Sequence, residues 1–158
     1  MRRNNQPETH ISSLFFNLPF DFLWEYLSDP LNFPEIYSNW TSQVTKAENG
    51  EFLGIAPTGD SFTIVPQTNY KYGIIDFKII DELGQIEWSR SRIFPLKTGG
   101  CMYIHLAVRW DGVDDNFWRE HQKLTDKDLE YAKTFLEQKF HNDNKIGLYL
   151  NFVMDTYE

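Results

Sequence analysis

The sequence predicts an α+β protein: one strand, two short helices, a six-strand antiparallel meander and a long amphipathic helix near the C-terminus. Turn signals punctuate the middle of the chain, at "AENGE", "PTGD", "ELGQ" and "KTGG", where Gly and its polar neighbours favour reversal. The segments between them are rich in β-branched and aromatic residues, as strands are. Finally, "TDKDLEYAKTFLEQKF" opens with Thr125 and Asp128 spaced as in a capping box and sets Leu129, Ala132, Leu136 and Phe140 on one helical face.

In order along the chain, residues 1–9 are polar and read as a loose arm, and 10–141 as the folded domain. "HISSLFFN" reads as the first strand, ended by Pro19. Phe20, Leu23, Trp24 and Leu27 fall at helical spacing until "SDP" breaks the run, and a second short helix is expected from Pro34 to Trp40. The meander strands are "SQVTKAE", "EFLGIA", "SFTIVPQ", "YGIIDFKII", "IEWSRSRIF" and "CMYIHLAVRW". Asp111, Asp114 and Asp115 suit the start of a helical segment, where carboxylates meet the positive end of the helix dipole. After the helix, residues 142–158 alternate Ile146, Leu148, Leu150, Phe152 and Met154. That period of two predicts an added strand, able to cover an edge of its own sheet or to pair with a second subunit as a homodimer.

Composition narrows the function classes. A chain of 158 residues with 41% hydrophobic content is long enough to bury roughly 68–70% of its unfolded surface as one domain. Its formal charge of -8 opposes nucleic-acid binding, which draws its affinity from Lys and Arg on phosphates. No apolar run reaches the roughly 18 residues of a membrane span, and the residues after Arg2 and Arg3 are too polar for a secretory leader. The single cysteine, Cys101, has no internal disulfide partner, so a soluble, cytoplasmic protein is expected. Cys101 reads as a packed thiol. No Gly-rich phosphate loop, G-x-S-x-G elbow or zinc-type spacing occurs, and the residues call for no metal or cofactor. Aromatic residues reach 16%, which suits a core or the wall of an apolar pocket.

The last three meander strands allow a register argument. Centring the first hairpin on Gly84 pairs Ile75 with Ile93, Phe77 with Ser91 and Ile79 with Ser89. Centring the next between Thr98 and Gly99 carries these to Ile104, Leu106 and Val108. One apolar face results, with Ser89 and Ser91 as small polar handles within it, whereas Asp76, Arg92 and His105 fall on the solvent side as a cross-strand ladder. In that register none of His10, His105, His121 and His141 points inward.

The opening "NLPFDFLWEYLSDPLNFPEIYSNW", with Pro19, Trp24, Asp29-Pro30 and Trp40, together with "YGIIDFKI", "SRIFP" and the element order, resembles the SRPBCC superfamily of START and polyketide cyclase/dehydrase-like proteins over about residues 10–141. Within it, "DLEYAKTFLEQ" and "YGIIDFKI" look most like an uncharacterised bacterial cyclase-like set that often reads Gly-Val-Leu-Asp-His. Here Phe77 takes that histidine's place, so chemistry resting on it is not implied. The resemblance implies a helix-grip fold: a curved seven-stranded sheet around the C-terminal helix, with a cavity between them. Trp24 and Leu27 would then pack the short helices onto the sheet, with Tyr37 and Trp40 near the cavity mouth. The expected ligand-binding set is Tyr37, Trp40, Ile75, Phe77, Ser89, Ser91, Ile104, Leu106, Val108, Leu136 and Phe140.

Three functions follow. A binder of a small hydrophobic or aromatic molecule, lipid-like or otherwise, needs no catalytic group. A cyclase or dehydratase needs an acid/base pair inside the cavity, which this register does not provide. A protein-interaction role, such as chaperone activation, would use the tail and the acidic surface.

Overall fold

A computed structural model of the chain describes residues 6–155. Strand β1 (Thr9–Phe16) leads into α1 (Phe20–Ser28), a 3-10 turn at Pro30–Asn32 and α2 (Phe33–Ile36). Six strands follow: β2 (Gln43–Lys46), β3 (Phe52–Ile55), β4 (Ser61–Asn69), β5 (Ile74–Asp81), β6 (Ile86–Pro95) and β7 (Cys101–Val108). The helix α3 (Asp115–Asp155) closes the order. All strand pairs are antiparallel in one curved seven-stranded sheet, ordered β1-β7-β6-β5-β4-β3-β2.

Local chemistry explains the breaks. Pro19 starts α1, and Asp29 caps the next turn by accepting from the Leu31 amide at 3.0 Å. Asp114 accepts from the Phe117 amide at 2.8 Å and so caps α3, satisfying one of the amides a helix start leaves unpaired. The helix therefore begins well before Thr125. Thr125 instead donates to the His121 carbonyl at 3.0 Å within the helix, and Asp128 serves another element.

Between β4 and β5, the turn Tyr70–Tyr72 ends at Gly73, with φ of 64°. A Cβ there would stand 2.2 Å from the Ile93 carbonyl oxygen, and the Gly73 carbonyl accepts from the Ile93 amide at 2.9 Å. Backbone meets backbone, which only glycine permits.

Register departs from expectation at both hairpins. The β5-β6 turn places Gly84 at φ of 78° and pairs Ile75 with Ser91, Phe77 with Ser89 and Ile79 with Glu87. That is a slip of two residues, which keeps every side chain on its face. The β6-β7 turn pairs Pro95 with Cys101 and Ser91 with His105, a slip of one, which turns β7 over. Its cause is the loop Leu96–Gly100, where Gly99 and Gly100 both take positive φ, 97° and 74°, and Leu96 exchanges hydrogen bonds with Gly99 and Gly100. A bulged loop of this kind contains one residue more than a two-residue turn.

The correction moves named residues. Ile104 and Leu106 lie on the outer face of the sheet, opposite Ser13 and Ile11 of β1, so neither lines the interior. Tyr103 and His105 take their place inside. Arg92 stays exposed as expected, while Asp76 accepts from Arg90 at 3.1 Å. The outer face also carries Ile11 and Phe15, which are exposed.

The core fills the concave side. Phe16, Leu23, Leu27, Phe33, Ile36, Ile64, Ile75 and Ile93 are essentially inaccessible, with Leu129, Ala132 and Leu136 of α3 against them. Trp24 packs on Phe20 and Tyr70.

The expected C-terminal strand is a helix: α3 continues through residues 142–155. The period-two pattern also contains i, i+4 pairs such as Ile146 with Leu150 and Leu148 with Phe152, and extending an existing helix avoids a new nucleation cost. This extension therefore offers no strand for edge pairing. Of the expected N-terminal arm, residues 1–5 lie outside the described residues, whereas Glu8 is tied to Arg109 at 3.0 Å and Thr9 pairs with Val108. Among the described residues no helix is long and apolar enough to cross a membrane.

Gly73→Ala is expected to lower stability by at least about 2 kcal/mol, through left-handed strain plus the clash with Ile93. Gly59→Ala, at positive φ but with nothing near its Cβ, should cost less. Urea denaturation of both variants measures the difference, and equal losses would refute the backbone-contact argument.

Candidate functional site

The inner face of β5, β6 and β7 faces α3 across a cavity of about 100 Å³, closed at one end by α1 and α2. Its apolar wall is built by Leu27, Phe33, Trp40, Ile75, Phe77, Ile79 and Leu129. Phe33 is the hub, with ring centroids 5.1 Å from Phe77, 5.3 Å from Trp40 and 5.5 Å from Tyr37. Trp40 in turn stacks on Phe62 at 5.4 Å.

Against this wall stand polar groups from the sheet. Ser91 Oγ lies 2.8 Å from the Tyr103 hydroxyl and 3.0 Å from His105 Nδ1, so three neighbouring residues of β6 and β7 form one hydrogen-bonded chain. Ser91 is inside as read from the sequence, and Tyr103 and His105 join it there because of the one-residue slip. Run one way, Tyr103 donates to Ser91, Ser91 donates to Nδ1, and the imidazole proton sits on Nε2; run the other way, it sits on Nδ1. Burial pushes the Tyr103 phenol up to about 12, outweighing the hydrogen bonds from Ser91 and Tyr37 that act in the opposite sense. Tyr37 is raised as well, first by burial and then by Tyr103. Both phenols are therefore donors at neutral pH.

His105 is pushed down to about 4, by desolvation first and then by the neighbouring His121 and His10, with Asp126 opposing. Its ring is neutral at pH 7 and a weak base. Across the β1-α3 seam, His10 Nε2 lies 3.0 Å from Asp126, which also accepts from Ser12.

Helix α3 contributes His121, Gln122, Thr125 and Asp128. Asp128 is buried at 4% exposure and accepts on Oδ1 from the Asn39 amide at 3.2 Å and side chain at 2.9 Å. It fastens the loop after α2 to α3, and desolvation raises its pKa against those hydrogen bonds. Gln122 is 5% exposed, and neither its Oε1 nor its Nε2 has a hydrogen-bond partner among the described residues. It occupies the buried stripe that runs from Trp118 to Leu129, Ala132 and Leu136. Glu87 stands at the rim, where desolvation raises its carboxyl. Among the described residues no group of His, Cys, Asp and Glu is placed to hold a metal ion.

Of the residues expected from sequence, Tyr37, Trp40, Ile75, Phe77, Ser89, Ser91 and Val108 line this cavity. Tyr37 is half-buried and packs against Phe33. Leu136 is core beneath it, and Phe140 packs on Phe22 at 5.0 Å toward the other end of the sheet. Tyr103, His105, His121, Gln122 and Asp128 escape sequence reasoning. For Gln122 a signal exists: it sits four residues after Trp118 and seven before Leu129, the spacing of a buried helical face. Cys101 is a packed thiol, with its sulfur 3.5 Å from the Leu18 carbonyl oxygen.

A curved sheet gripping a long helix over an aromatic cavity with buried polar handles defines a helix-grip protein. The chain shares this fold with solved structures of aromatase/cyclases and of Ara h 8.0201. It is similar to the ZhuI aromatase/cyclase from Streptomyces sp. R1128, with a TM-score of 0.63 and 15% identity over 84% of this chain and 95% of that one. Similar also are an uncharacterised protein from Bacillus thuringiensis, with a TM-score of 0.66 and 10% identity over 82% and 98%, and Ara h 8.0201, with a TM-score of 0.59 and 10% identity over 82% and 97%. No family model and no curated sequence matches the chain.

The charge state of His105 is measurable. An unfolded histidine titrates near 6.5 and folded His105 near 4, so between these values the unfolded chain holds the extra proton. The stability tied to neutral His105 is intact above 6.5 and is lost as the pH falls through about 4. The stability gap between wild type and His105→Gln should accordingly close on acidification, and NMR should show the His105 ring titrating near 4. A ring that titrates near 6.5 contradicts its enclosure.

Proposed function

We infer that the protein binds a small, single-ring aromatic molecule in the cavity between β5–β7 and α3. The observation that carries this reading is the meeting of aromatic walls with convergent buried polar groups, the composition that ligand sites share. A core would fill such a space with apolar atoms, since buried polar groups without partners destabilise it. Cavity size selects the ligand class. About 100 Å³ is well under the roughly 300–1,000 Å³ of drug-sized clefts and close to the roughly 150 Å³ that accepts benzene. That size argues against a sterol or a long acyl chain. The likeness to an aromatase/cyclase agrees with an aromatic ligand but carries the fold alone.

A second reading, a cyclase-like enzyme, is favoured by one observation, the entry of His105 into the cavity in hydrogen-bonding contact with Ser91. Against it stands the low basicity of His105. A general base works best with a pKa near the working pH, and about 4 is far below it.

Thermal-shift measurements against phenols, benzamides, benzoates, sterols and fatty acids test the binding reading. At about 100 times its dissociation constant a ligand adds about 2.7 kcal/mol, or roughly 5–10 °C for a chain of this size. The shift should come from single-ring compounds and vanish in Ser91→Trp and Ser89→Trp, each checked for a cooperative melt. Equal shifts in the blocked variants would place binding elsewhere, and a response to sterols alone would overturn the size argument.

A further inference from the structure

The chemistry around Gln122 reaches further than an aromatic ring. We propose that the cavity selects a neutral ligand carrying a hydrogen-bond donor and acceptor side by side, a primary amide or lactam on a small ring, and rejects carboxylates. This rests on the binding reading above and specifies the ligand's polar edge.

The first ground is the amide itself. Gln122 is 5% exposed, lines the cavity, and leaves both the donor and the acceptor of its side chain without a protein partner among the described residues. Neighbouring buried groups are already engaged: Ser91 with Tyr103 and His105, and Asp128 with Asn39. The partner of Gln122 is therefore whatever occupies the cavity. A ligand hydroxyl or ketone satisfies half of the amide, whereas a second amide satisfies both atoms at once. A buried polar atom left unpaired costs more than a made bond returns, so the two-point partner is selected over the one-point partner.

The second ground is charge. Among the described residues, the ionisable lining groups are Glu87 and Asp128, the phenols Tyr37 and Tyr103, and the imidazoles His105 and His121, and no Lys or Arg lines the space. A carboxylate would enter a desolvated site with no counter-charge and with acidic groups beside it, the costliest arrangement for a buried ion. The two acids raise the opposite possibility, a cationic amine. Asp128 answers it in part, since its Oδ1 is held by Asn39 and burial favours its uncharged form.

Four probes built on one benzene ring separate these outcomes: benzamide, benzoate, benzylamine and toluene, titrated by ligand-observed NMR into wild type and Gln122→Leu. Wild type is expected to bind benzamide at least about tenfold more tightly than the other three, a factor worth about 1.4 kcal/mol. Gln122→Leu should bring the benzamide-to-toluene ratio close to one while toluene binding is kept or improved, a change in selectivity that loss of folding cannot mimic. Its thermal midpoint should also rise, because leucine fits the buried stripe. Benzoate or benzylamine equalling benzamide overturns the proposal, as does a preference for benzamide that survives in Gln122→Leu. If Gln122→Leu fails to fold, the wild-type ranking decides alone. Toluene binding as tightly as benzamide defeats this inference and leaves the aromatic-binding reading standing; no binding by any ring compound defeats both.

Discussion

Two successive left-handed glycines, Gly99 and Gly100, set the loop between β6 and β7, and with it the face that β7 turns toward the helix. The loop leaves no room for a side chain at Gly100, where a Cβ would meet the Phe16 carbonyl oxygen at 2.8 Å and the Phe15 ring at 2.5 Å. Because side chains alternate along a strand, the extra loop residue exchanges Ile104 and Leu106 for Tyr103 and His105 across the whole of β7. Pairing with β1 transmits the choice onward, bringing Ser12 opposite His105 and Phe16 opposite Cys101. Polar character inside this protein thus begins in a turn.

The aromatic segment around "SDP" sets the other limit of the site. Phe33, at zero exposure, holds Tyr37, Trp40 and Phe77 around itself, and burying a side chain of that size contributes about 1.5–3 kcal/mol. Asp128 ties the end of the same segment to α3 through Asn39. Apolar packing and one buried carboxylate together hold α2 against the helix, and they close the cavity from that side. Many aromatics in a short stretch are thereby explained: most pack on one another, and three of them, Phe33, Tyr37 and Trp40, also line the space.

Fold and site carry different weight here. Structures between 10% and 15% identical to this chain share its architecture, and an architecture of this kind hosts unrelated functions. Discrimination therefore falls to the side chains that a well-packed core would not choose: Gln122 with no partner among the described residues, His105 held neutral, and Ser91 between two rings' polar atoms. Their common property is burial of hydrogen-bonding capacity beside an open space. Among the described residues that line it, two are acids and none is Lys or Arg, which is the basis for the proposed preference for neutral over anionic occupants.

Element order was legible in the residues because local rules decide it. Alternation, turn glycines and the apolar stripe of "DLEYAKTFLEQ" mark seven strands and a long helix without reference to anything distant. Seven of the expected cavity residues line the space, four of them, Ile75, Phe77, Ser89 and Ser91, because the slip at Gly84 was even and left β5 and β6 facing as read. Three properties lay beyond local rules. Whether "KTGG" forms a two-residue or a bulged turn depends on how Gly100 meets Phe15 and Phe16 across the sheet. Whether residues 142–155 are strand or helix depends on α3 already being nucleated, because their pattern satisfies both periods. Whether Gln122 is a surface amide or a buried one depends on a helix start at Asp115 that Asp114 caps. The sequence by itself determined the elements and their order, which are local; only the tertiary structure decided parity, helix extent and the polar face of the cavity, because each rests on contacts between residues far apart in the chain.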